Sequence, residues 1–412
     1  MNIAGYIFRK IINQNPQPQQ KKDLISTGPI FRIAIAGIAI GFIVMLIAVS
    51  VLQGFQKEIR DKIIGFGGHL VVTSYTSDNS FQTAPISKDQ NFISNLNKIE
   101  DISSVIPFAL KPGIIRTQDN IEGIVLKGID VSYNWSFIAS KLVEGKIPTI
   151  KKEEKTEDIL ISKQIADKLK IKLNDDLFMF FVQQPPRMRK FKVTGIYQTG
   201  LEEYDKLYVF GDMRHVQKLN DWNENMITGY EIGIRDFSKL EAVDEQVLNL
   251  LPFNLNCQTV QQLYPQLFEW LNLQNINVEI ILVLMLLVCS INMISALLVM
   301  ILERTTFIGI LKSIGANNSL IRKVFLYQAM YLITKGLFWG NIIGIGLCLI
   351  QKYLHIISLD QTSYYVKYVP VAINIWMIVA LNIGTLVVCS VMMILPTFVI
   401  TRISPVKAIR FN

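Results

Sequence analysis

The sequence predicts a membrane α-helical protein with four transmembrane helices and a large α+β extracytoplasmic domain inserted between helices 1 and 2. The first supporting observation is four long apolar runs, since about 20 apolar residues suffice to cross the core of a bilayer. The second is that basic residues cluster beside these runs. The third is the stretch 53–275, which separates the first run from the other three and has the composition of a folded domain.

The first apolar run, 30–52, has the properties of a transmembrane helix. It is uncharged after Arg32, and it is too long and starts too late for a cleavable signal peptide. Within it, Gly37 and Gly41 form a small-xxx-small pair, which favours close packing against another helix. The polar segment 1–29 before it fits either an amphipathic helix on the inner membrane surface or a disordered tail.

The stretch 53–275 is predicted to be an α+β domain, because its short apolar runs fit strands in some places and helices in others. The strand-like runs are Leu70–Thr73, Ile121–Leu126, Leu177–Val182, Phe191–Thr194, Leu207–Phe210 and Tyr230–Ile234. The helix-like runs are Gln90–Lys98, Ser162–Leu169 (with Ser162 as N-cap) and Lys239–Leu250. At the domain ends, Gln53–Ile64 and about Val260–Asn275 are expected to continue the first and second spans as stalks.

Three further apolar runs follow the domain, and each is long enough to span a membrane: Ile280–Leu302, about Val324–Ile350 and Ala372–Ile400. Four crossings place both chain ends on one side of the membrane. The expected segments are a cytoplasmic N-terminal segment (1–29), helix 1 (30–52), the extracytoplasmic domain (53–275), helix 2 (276–302), a cytoplasmic segment (303–323), helix 3 (324–350), an outer loop (351–371), helix 4 (372–400) and a cytoplasmic tail (401–412).

The net charge of +8 is concentrated beside the predicted spans. Segments 1–32, 303–323 and 401–412 are rich in Lys and Arg, with Asp23 and Glu303 as their only acidic residues. Because short cytoplasmic loops of membrane proteins carry an excess of basic residues, these segments are predicted to lie in the cytoplasm. No basic surface with interleaved aromatic residues is recognisable, so no nucleic-acid partner is expected.

The third run contains a lysine, Lys335, followed by Gly336, Gly340 and Gly344 at four-residue spacing. An intramembrane lysine is a candidate functional residue. The favoured alternative is that the helix starts early and Lys335 extends towards the inner headgroups. The glycines are interpreted as a surface for close helix packing.

The chain is not expected to be an enzyme, because three common ATP-binding and catalytic motifs are absent. It has no G-x-x-x-x-G-K-[ST] loop for ATP, no G-x-S-x-G and no H-E-x-x-H. Glu202, Glu203 and Asp205 lie beside Gly200, where a solvated turn is favoured over an acid–base pair. No metal site is expected, because the Cys and His residues lack ligand spacing; they are Cys257, Cys289, Cys348, Cys389, His69, His215 and His355.

Several motifs in the predicted domain resemble the FtsX/MacB-type ABC permease superfamily, and within it the LolC/LolE lipoprotein-releasing permeases. After the first span, Val51–Ile59 is similar to the family's NGFE-type stretch, with Gln53 in place of Asn. Further along the domain, three segments are similar to family turns and strands: Gly128–Asp130, Ile161–Asp175 and Phe191–Asp205. The last of these places the acidic cluster in a family turn.

Two motifs outside the domain extend the resemblance over nearly the whole chain. Glu303–Ala316 is similar to the superfamily's E-R-x-x-E-I-G-x-x-x-x-x-G-A segment, with Phe307 in place of an acid. Ile403–Arg410 is similar to the C-terminal P-x-x-A-L-R. The resemblance implies a MacB-like periplasmic core domain at 53–275 and a coupling helix at 303–323 that docks on a separate ATPase. The coupling residues carried over are Glu303, Arg304, Ile308, Gly309, Lys312, Ile314, Gly315 and Ala316.

One departure from the family concerns the loop that, in the LolC type, forms a hook for a periplasmic carrier. Here the corresponding segment is short, 183–190, with two prolines and three cations. A carrier contact and a plain solvated hairpin loop are both compatible with it. The carrier-contact candidates are Gln184, Pro185, Pro186, Arg187 and Arg189.

The function implied by the resemblance is that of a permease which uses ATP-driven mechanotransmission to release lipoproteins from the bacterial inner membrane to a periplasmic carrier. The chain would need no cofactor, because ATP and Mg²⁺ would bind to the partner ATPase, which is LolD/MacB-like. Further expected partners are a second permease copy or paralogue, the lipoprotein cargo, the carrier and membrane lipid. Acyl chains would contact Met45, Val49, Leu52, Phe55, Ile276 and Ile280. The alternatives are MacB-type export of another substrate and FtsX-like activation of a cell-wall hydrolase.

Overall fold

The computed structural model describes residues 21–75, 84–117 and 120–402, and these form two compact units. The helical unit comprises the described residues up to Gln56 together with Leu271–Ser358 and those from Tyr368 onward. The sheet domain comprises Lys57–Trp270 and Leu359–Lys367. The predicted N-terminal amphipathic segment and the C-terminal Ile403–Arg410 motif lie outside the described residues.

Four helices are long and apolar enough to cross a membrane, and the sheet domain is inserted between the first and second of them, which confirms the predicted fold class. These helices are α1 (Lys21–Gly67), α9 (Pro265–Glu303), α11 (Asn318–Leu354) and α13 (Ile375–Met392). The shorter helices α10 (Thr305–Ser313), α12 (Gln361–Tyr364), α14 (Ile394–Thr397) and α15 (Val399–Arg402) belong to the connections and the end of the described chain.

The helix α1 is longer than the apolar run that predicts it, because the helical backbone continues past Leu52 through the expected stalk to Gly67. The second stalk is interrupted. A short helix, α8 (Val260–Leu263), ends before Tyr264, and Pro265 starts α9. Proline disfavours a helical conformation at the residue before it and suits the first position of a new helix, so the break falls at this pair.

Glycines allow α1 and α9 to approach closely. A Cβ atom built on Gly37 would lie 2.0 Å from the Asn292 side-chain nitrogen, and one built on Gly41 would lie 2.3 Å from the Cys289 sulfur. Either distance is far below van der Waals contact, so only glycine fits at these two positions of α1 without a shift of its neighbour.

The glycine series of α11 packs against the opposite part of α1. A Cβ atom on Gly336 would lie 2.7 Å from the Ile38 side chain, and one on Gly340 would lie 3.1 Å from the Phe42 ring. At Gly344 the nearest atoms are 3.6 Å away, which is ordinary contact. The side chain of Lys335, on the same helix, is exposed, and its ammonium lies 5.7 Å from the ring centroid of Tyr331.

The sheet domain is built on one ten-stranded mixed sheet, counted over the described residues, in the order β12-β1-β11-β3-β4-β9-β6-β8-β5, with β7 pairing to β3 and β8. Its strands are β1 (Leu70–Ser74), β3 (Ile102–Arg116), β4 (Ile121–Ile129), β5 (Leu142–Gly145), β6 (Asp158–Ser162), β7 (Asp176–Phe181), β8 (Arg187–Tyr197), β9 (Tyr208–Asp212), β11 (Gly229–Ile234) and β12 (Leu255–Thr259). A separate pair joins β2 (Ile86–Ser87) to β10 (Met226–Ile227). The β4–β9 and β6–β8 pairs are parallel, and the other pairs are antiparallel.

The helices of the sheet domain are short, and they cover parts of the sheet. They are α2 (Asn91–Leu96), α3 (Ser136–Ser140), α4 (Lys163–Leu169), α5 (Glu202–Asp205), α6 (Met213–Leu219), α7 (Leu240–Leu250) and α8. Each strand and helix predicted in the domain is present, with shifts of a few residues at the ends. The predicted N-cap is confirmed as well, since the Ser162 hydroxyl accepts a hydrogen bond from Ile165 N at 3.1 Å.

The prediction that the acidic cluster forms a solvated turn is wrong for Asp205. Glu203 is exposed, but Asp205 is buried, and its carboxylate accepts hydrogen bonds from Gly200 N at 2.9 Å and from Thr199 Oγ1 at 2.8 Å. Burial raises the pKa of Asp205, although these hydrogen bonds oppose the increase. The carboxylate stabilises the turn, because it accepts hydrogen bonds from backbone N–H groups that water cannot reach.

Candidate functional site

The first candidate site is the segment between α9 and α11, where sequence analysis places the coupling helix. The helix α9 ends at Glu303, Arg304 interrupts the helical backbone, and α10 follows. After α10, Gly315 has a φ of +92°, a conformation that glycine adopts without strain, and Asn317 caps the start of α11 through Ser319 N. The segment is therefore a short helix held between two sharp breaks.

The eight coupling candidates differ in what their side chains can reach. Ile308 and Gly309 are buried within the helical unit, Arg304, Lys312 and Ala316 are partly buried, and Glu303, Ile314 and Gly315 are exposed. The Lys312 ammonium donates a hydrogen bond to the Ile400 carbonyl at 2.8 Å, so it already has a partner within the chain.

Two exposed isoleucines lie in α10 and directly after it, and the coupling candidates include only the second of them. Ile314 is 79% exposed and Ile310 is 46% exposed, and the two are four residues apart on neighbouring turns. Together they form a small apolar surface that faces away from the packed helices. In the sequence, the four-residue spacing of these two isoleucines indicates that they share one face of a helix. It does not indicate whether that face is exposed or buried.

The second candidate site is the hairpin of β7 and β8, which carries the carrier-contact candidates. The predicted loop 183–190 is too long, because Arg187 and Arg189 belong to the paired strand β8 and only residues 182–186 connect the two strands. Gln184, Pro185 and Pro186 are exposed at the tip, and Arg189 is partly exposed. Arg187 forms a two-pronged ion pair with Asp221, with nitrogen–oxygen distances of 2.9 and 2.7 Å. Because paired guanidinium–carboxylate geometry is specific, this contact fixes the base of the loop.

Exposed apolar residues adjoin the hairpin loop. Every second residue from Phe178 to Val182 is exposed on one side of the hairpin: Phe178 and Phe180 on β7, and Val182 directly after it. Met188 on β8 is paired with Phe180. Val182 is 71% exposed and Met188 is 51% exposed. The sequence does not reveal this surface, because a strand buried on both faces shows the same continuous apolar run as residues 177–182.

The six residues predicted to contact acyl chains have different surroundings. Met45 is fully buried in the core of the helical unit, Val49, Leu52 and Phe55 are partly buried, and Ile276 and Ile280 are exposed. Close to them, the Gln56 side-chain amide donates a hydrogen bond to Asn275 Oδ1 at 2.7 Å. This polar contact joins α1 to α9, and sequence analysis did not identify it.

No group of three or more His, Cys, Asp or Glu residues that could hold a metal occurs in the part of the chain that the structure describes. The four cysteines are buried and unpaired with one another.

Comparison with known proteins confirms the resemblance that the motifs indicate. The MacB-like periplasmic core domain matches residues 32–250, which is more than half of the chain, and the FtsX-like permease C-terminal domain matches residues 279–405. The lipoprotein-releasing system transmembrane protein LolC of Xylella fastidiosa is 23% identical over 398 residues, covering 92% of this chain and 93% of that protein. The corresponding LolE protein of Haemophilus influenzae is 23% identical over 376 residues, covering 85% and 86%.

Among solved structures, the periplasmic region of MacB from Actinobacillus actinomycetemcomitans matches 50% of this chain and 95% of its own, with 14% identity and a TM-score of 0.34. The family assignment does not rest on this weak structural likeness, because the two family matches cover the domain and the spans by sequence. The chain belongs to the FtsX-like permeases with a MacB-like periplasmic core domain, which are permease components of ABC transporters, and it resembles LolC and LolE over most of its length.

Proposed function

We propose that this chain is a permease subunit of an ABC complex that releases lipoproteins from the bacterial inner membrane to a soluble periplasmic carrier. The observation that carries the proposal is the extent of the likeness to LolC, which covers more than nine-tenths of both chains. A likeness of this extent includes the domain, the spans and the segment between them, and not the membrane helices alone. In this arrangement both chain ends are cytoplasmic, and the sheet domain lies in the periplasm.

The coupling step would start at α10. A separate ATPase subunit, which holds ATP and Mg²⁺, would bind the exposed Ile310 and Ile314 in an apolar groove, in the way that amphipathic helices dock on their partners. Ile308 and Gly309 would act from inside, because they are buried and connect α10 to the helical unit. Closure of two ATPases would then move α9 and α11 together with α10.

The carrier contact would use the hairpin of β7 and β8. An exposed apolar surface rimmed by polar residues is typical of a protein interaction site. Here Phe178, Phe180, Val182 and Met188 supply the apolar part, and the connecting residues 183–186 supply the rim. The Arg187–Asp221 ion pair would hold the loop in position for binding, so its role would be indirect.

Acyl chains of the cargo would lie between α1 and α9. Ile276 and Ile280 are available to them, and Val49, Leu52 and Phe55 are partly available. Met45 would become accessible only if the helices separated, because it is buried in this structure. A second permease, either identical or a paralogue, would complete the complex.

Co-purification tests this function most directly. The chain is expressed with its ATPase, ATP hydrolysis is blocked by a substitution in that ATPase, and the retained proteins are identified by mass spectrometry. The proposal expects acylated proteins in the complex, and fewer of them when hydrolysis is allowed. Repeated absence of acylated protein from an intact, ATPase-containing complex would refute it, and retention of an unacylated substrate would favour export of another cargo.

A further inference from the structure

A cavity of about 590 Å³ opens on one face of the sheet in the sheet domain. Its lining comes from β1, β3, β4, β9, β11 and β12 and from the short helices α5 and α8. It also includes Phe66 and Gly67 at the end of α1 and Pro265 at the start of α9. This volume is within the range of small-molecule binding sites. The cavity belongs neither to the coupling segment nor to the β7–β8 hairpin.

The floor of the cavity contains a buried ion pair. The Lys127 ammonium donates hydrogen bonds to Glu231 Oε1 at 2.6 Å and to the Phe66 carbonyl at 2.8 Å. Its charge also faces the ring of Phe66, at 5.0 Å from the centroid. Two of the three N–H groups of the lysine are therefore engaged by the domain itself, and its charge is already paired with a carboxylate, so it attracts an anionic ligand only weakly.

Glu231 still has one carboxylate oxygen available. Glu231 lines the cavity, and its side chain is 10% exposed. No hydrogen bond to Oε2 is present among the described residues, so this oxygen is the one left for a ligand. Side chains alternate along β11, so the preceding Tyr230 points to the other face of the sheet, where its ring lies 6.2 Å from that of Phe92 in α2. The glutamate is thus the charged group that β11 presents to the cavity.

Aromatic rings and a second carboxylate complete the lining. The rings of Phe66, Tyr204, Tyr208 and Tyr264 form a connected cluster with centroid separations of 4.3 to 5.9 Å. Glu203, whose side chain is exposed, lies at the rim. With Lys127, Glu231 and Glu203, the charged groups of the lining sum to −1. Aromatic faces and an excess of negative charge both attract cations.

We propose that this cavity binds a primary ammonium or guanidinium group carried on an apolar body. The cation would contact Glu231 Oε2, and the apolar body would lie against the tyrosine rings. Repulsion by Lys127 does not prevent this, because the cation would contact Oε2 whereas Lys127 is bound to Oε1, so the cation would lie closer to the carboxylate than to the ammonium, and Coulomb energy falls with distance. The inference goes beyond lipoprotein release and does not depend on it.

An occupant would touch the ends of two helices that continue along the chain into membrane-spanning segments. Phe66 and Gly67 end α1, and Pro265 starts α9. A ligand in the cavity would therefore stabilise one arrangement of the end of α1 and the start of α9. Two sources supply the same chemistry: a small amphiphilic amine, and a Lys or Arg side chain of a bound polypeptide.

Ligand-observed NMR on the full chain in a neutral detergent tests the proposal. The small probes are phenethylamine, its uncharged analogue 2-phenylethanol and the anionic 3-phenylpropionate. The peptide probes are acetyl-Ala-Lys-Phe-amide and the same peptide with norleucine in place of lysine. We expect the amine or the lysine peptide to bind about tenfold more tightly than its uncharged counterpart, and the carboxylate not to bind.

Two variants locate the site. Glu203→Gln, at the exposed rim, should weaken binding of the cationic probe about threefold to fivefold. Glu231→Gln should weaken it more, and Glu245→Gln, an exposed carboxylate of α7 outside the cavity, should leave it unchanged.

The outcomes separate the two sources. Binding of the amine alone identifies a small amine, and binding of the lysine peptide alone identifies a polypeptide side chain. If neither cationic probe exceeds its uncharged counterpart, or if Glu203→Gln and Glu231→Gln both bind like the wild type, the proposal is wrong. Because Glu203 is exposed, its variant remains informative even if Glu231→Gln fails to fold.

Discussion

Lys127 and Glu231 form a buried ion pair across two strands of the sheet, with 2.6 Å between Nζ and Oε1. The two residues are 104 positions apart in the sequence and belong to β4 and β11, which are separated by β3 in the sheet. The same ammonium binds the Phe66 carbonyl in the last turn of α1. One lysine thus links the end of a long helix to the centre of the sheet.

Removal of one partner of this pair should be strongly destabilising, because the other charge would remain buried. We expect Lys127→Met or Glu231→Leu to lower the free energy of unfolding by about 3–5 kcal/mol. The double variant should lose less than the sum of the two single variants, since it leaves no unpaired charge. Thermal and denaturant unfolding of the full chain in detergent measures this, and additive effects would contradict the buried pair.

Acid should destabilise the sheet domain through His215. Burial lowers its pKa to about 4, although a hydrogen bond from Nε2 to the Thr156 carbonyl at 2.8 Å opposes the decrease. The other ring nitrogen, Nδ1, is buried without a partner, so a second proton there would have no acceptor. In the unfolded chain the pKa is about 6.5, so the unfolded state binds the proton first as the pH falls.

The consequence is a loss of stability below about pH 6.5 that continues down to about pH 4. Between pH 7.5 and pH 5, His215 should cost the folded state about 2 kcal/mol. His215→Gln should remove this share of the pH dependence, and His355→Gln, at an exposed residue, should not. The free energy of unfolding is measured at several pH values from unfolding curves followed by tryptophan fluorescence. If it falls with pH equally steeply in the wild type and in His215→Gln, the effect is excluded.

Close packing of α1 and α11 should make Gly336 intolerant of a side chain. The Cβ atom of Gly336→Ala would meet Ile38 at 2.7 Å, and we expect a loss of about 1–3 kcal/mol from overpacking. Gly346→Ala is a matched control on the same helix, because nothing lies within 4 Å of its Cβ position. The control should be neutral or slightly stabilising, since alanine favours a helix. Melting temperatures in detergent compare the two, and a neutral Gly336→Ala would contradict the packing.

The exposed Ile314, directly after α10, gives a sharper test of ATPase coupling than the buried Gly309 within that helix. Ile314→Asp should reduce ATPase co-purification at least tenfold, because a charge would replace apolar contact in the docking groove. Ile314→Leu keeps the apolar surface and should retain binding. Melting temperatures should stay unchanged in both, since the side chain is 79% exposed. Normal docking of Ile314→Asp would remove α10 from the interface.

The hairpin surface should matter for carrier binding and not for folding. Phe180→Ser and Met188→Ser should strongly reduce photo-crosslinking of a soluble carrier through a probe at Pro185, because they remove exposed apolar area. Val131→Ser changes a comparably exposed valine outside the hairpin, so it serves as the control and should have no effect. If the probe never captures a soluble protein, the loop is a plain hairpin loop.

Local patterns in the sequence were sufficient for the architecture. Apolar runs long enough to cross a bilayer predicted the four spans, and short apolar runs predicted six of the twelve strands described in the domain. Ser162 was identified as an N-cap from its position alone, because a cap depends on residues three positions apart. Gly37 and Gly336 were expected at packing surfaces because small residues permit close helix contact.

Which side chains are buried and which are exposed depended on the tertiary structure. Asp205 looked solvated from its acidic neighbours, but the fold buries it against backbone N–H groups that need an acceptor. The exposure of Phe180 and Ile314 depends on which face of an element meets a neighbour, and an apolar residue has the same identity on either face.

The sequence by itself determined the membrane class, the four spans and the domain inserted between the first two. Only the tertiary structure paired Lys127 with Glu231 and enclosed a cavity above them. The physical reason is the range of each interaction. Hydrophobic periodicity acts over one helix or strand, whereas a buried charge is stabilised by a partner that any part of the chain can supply.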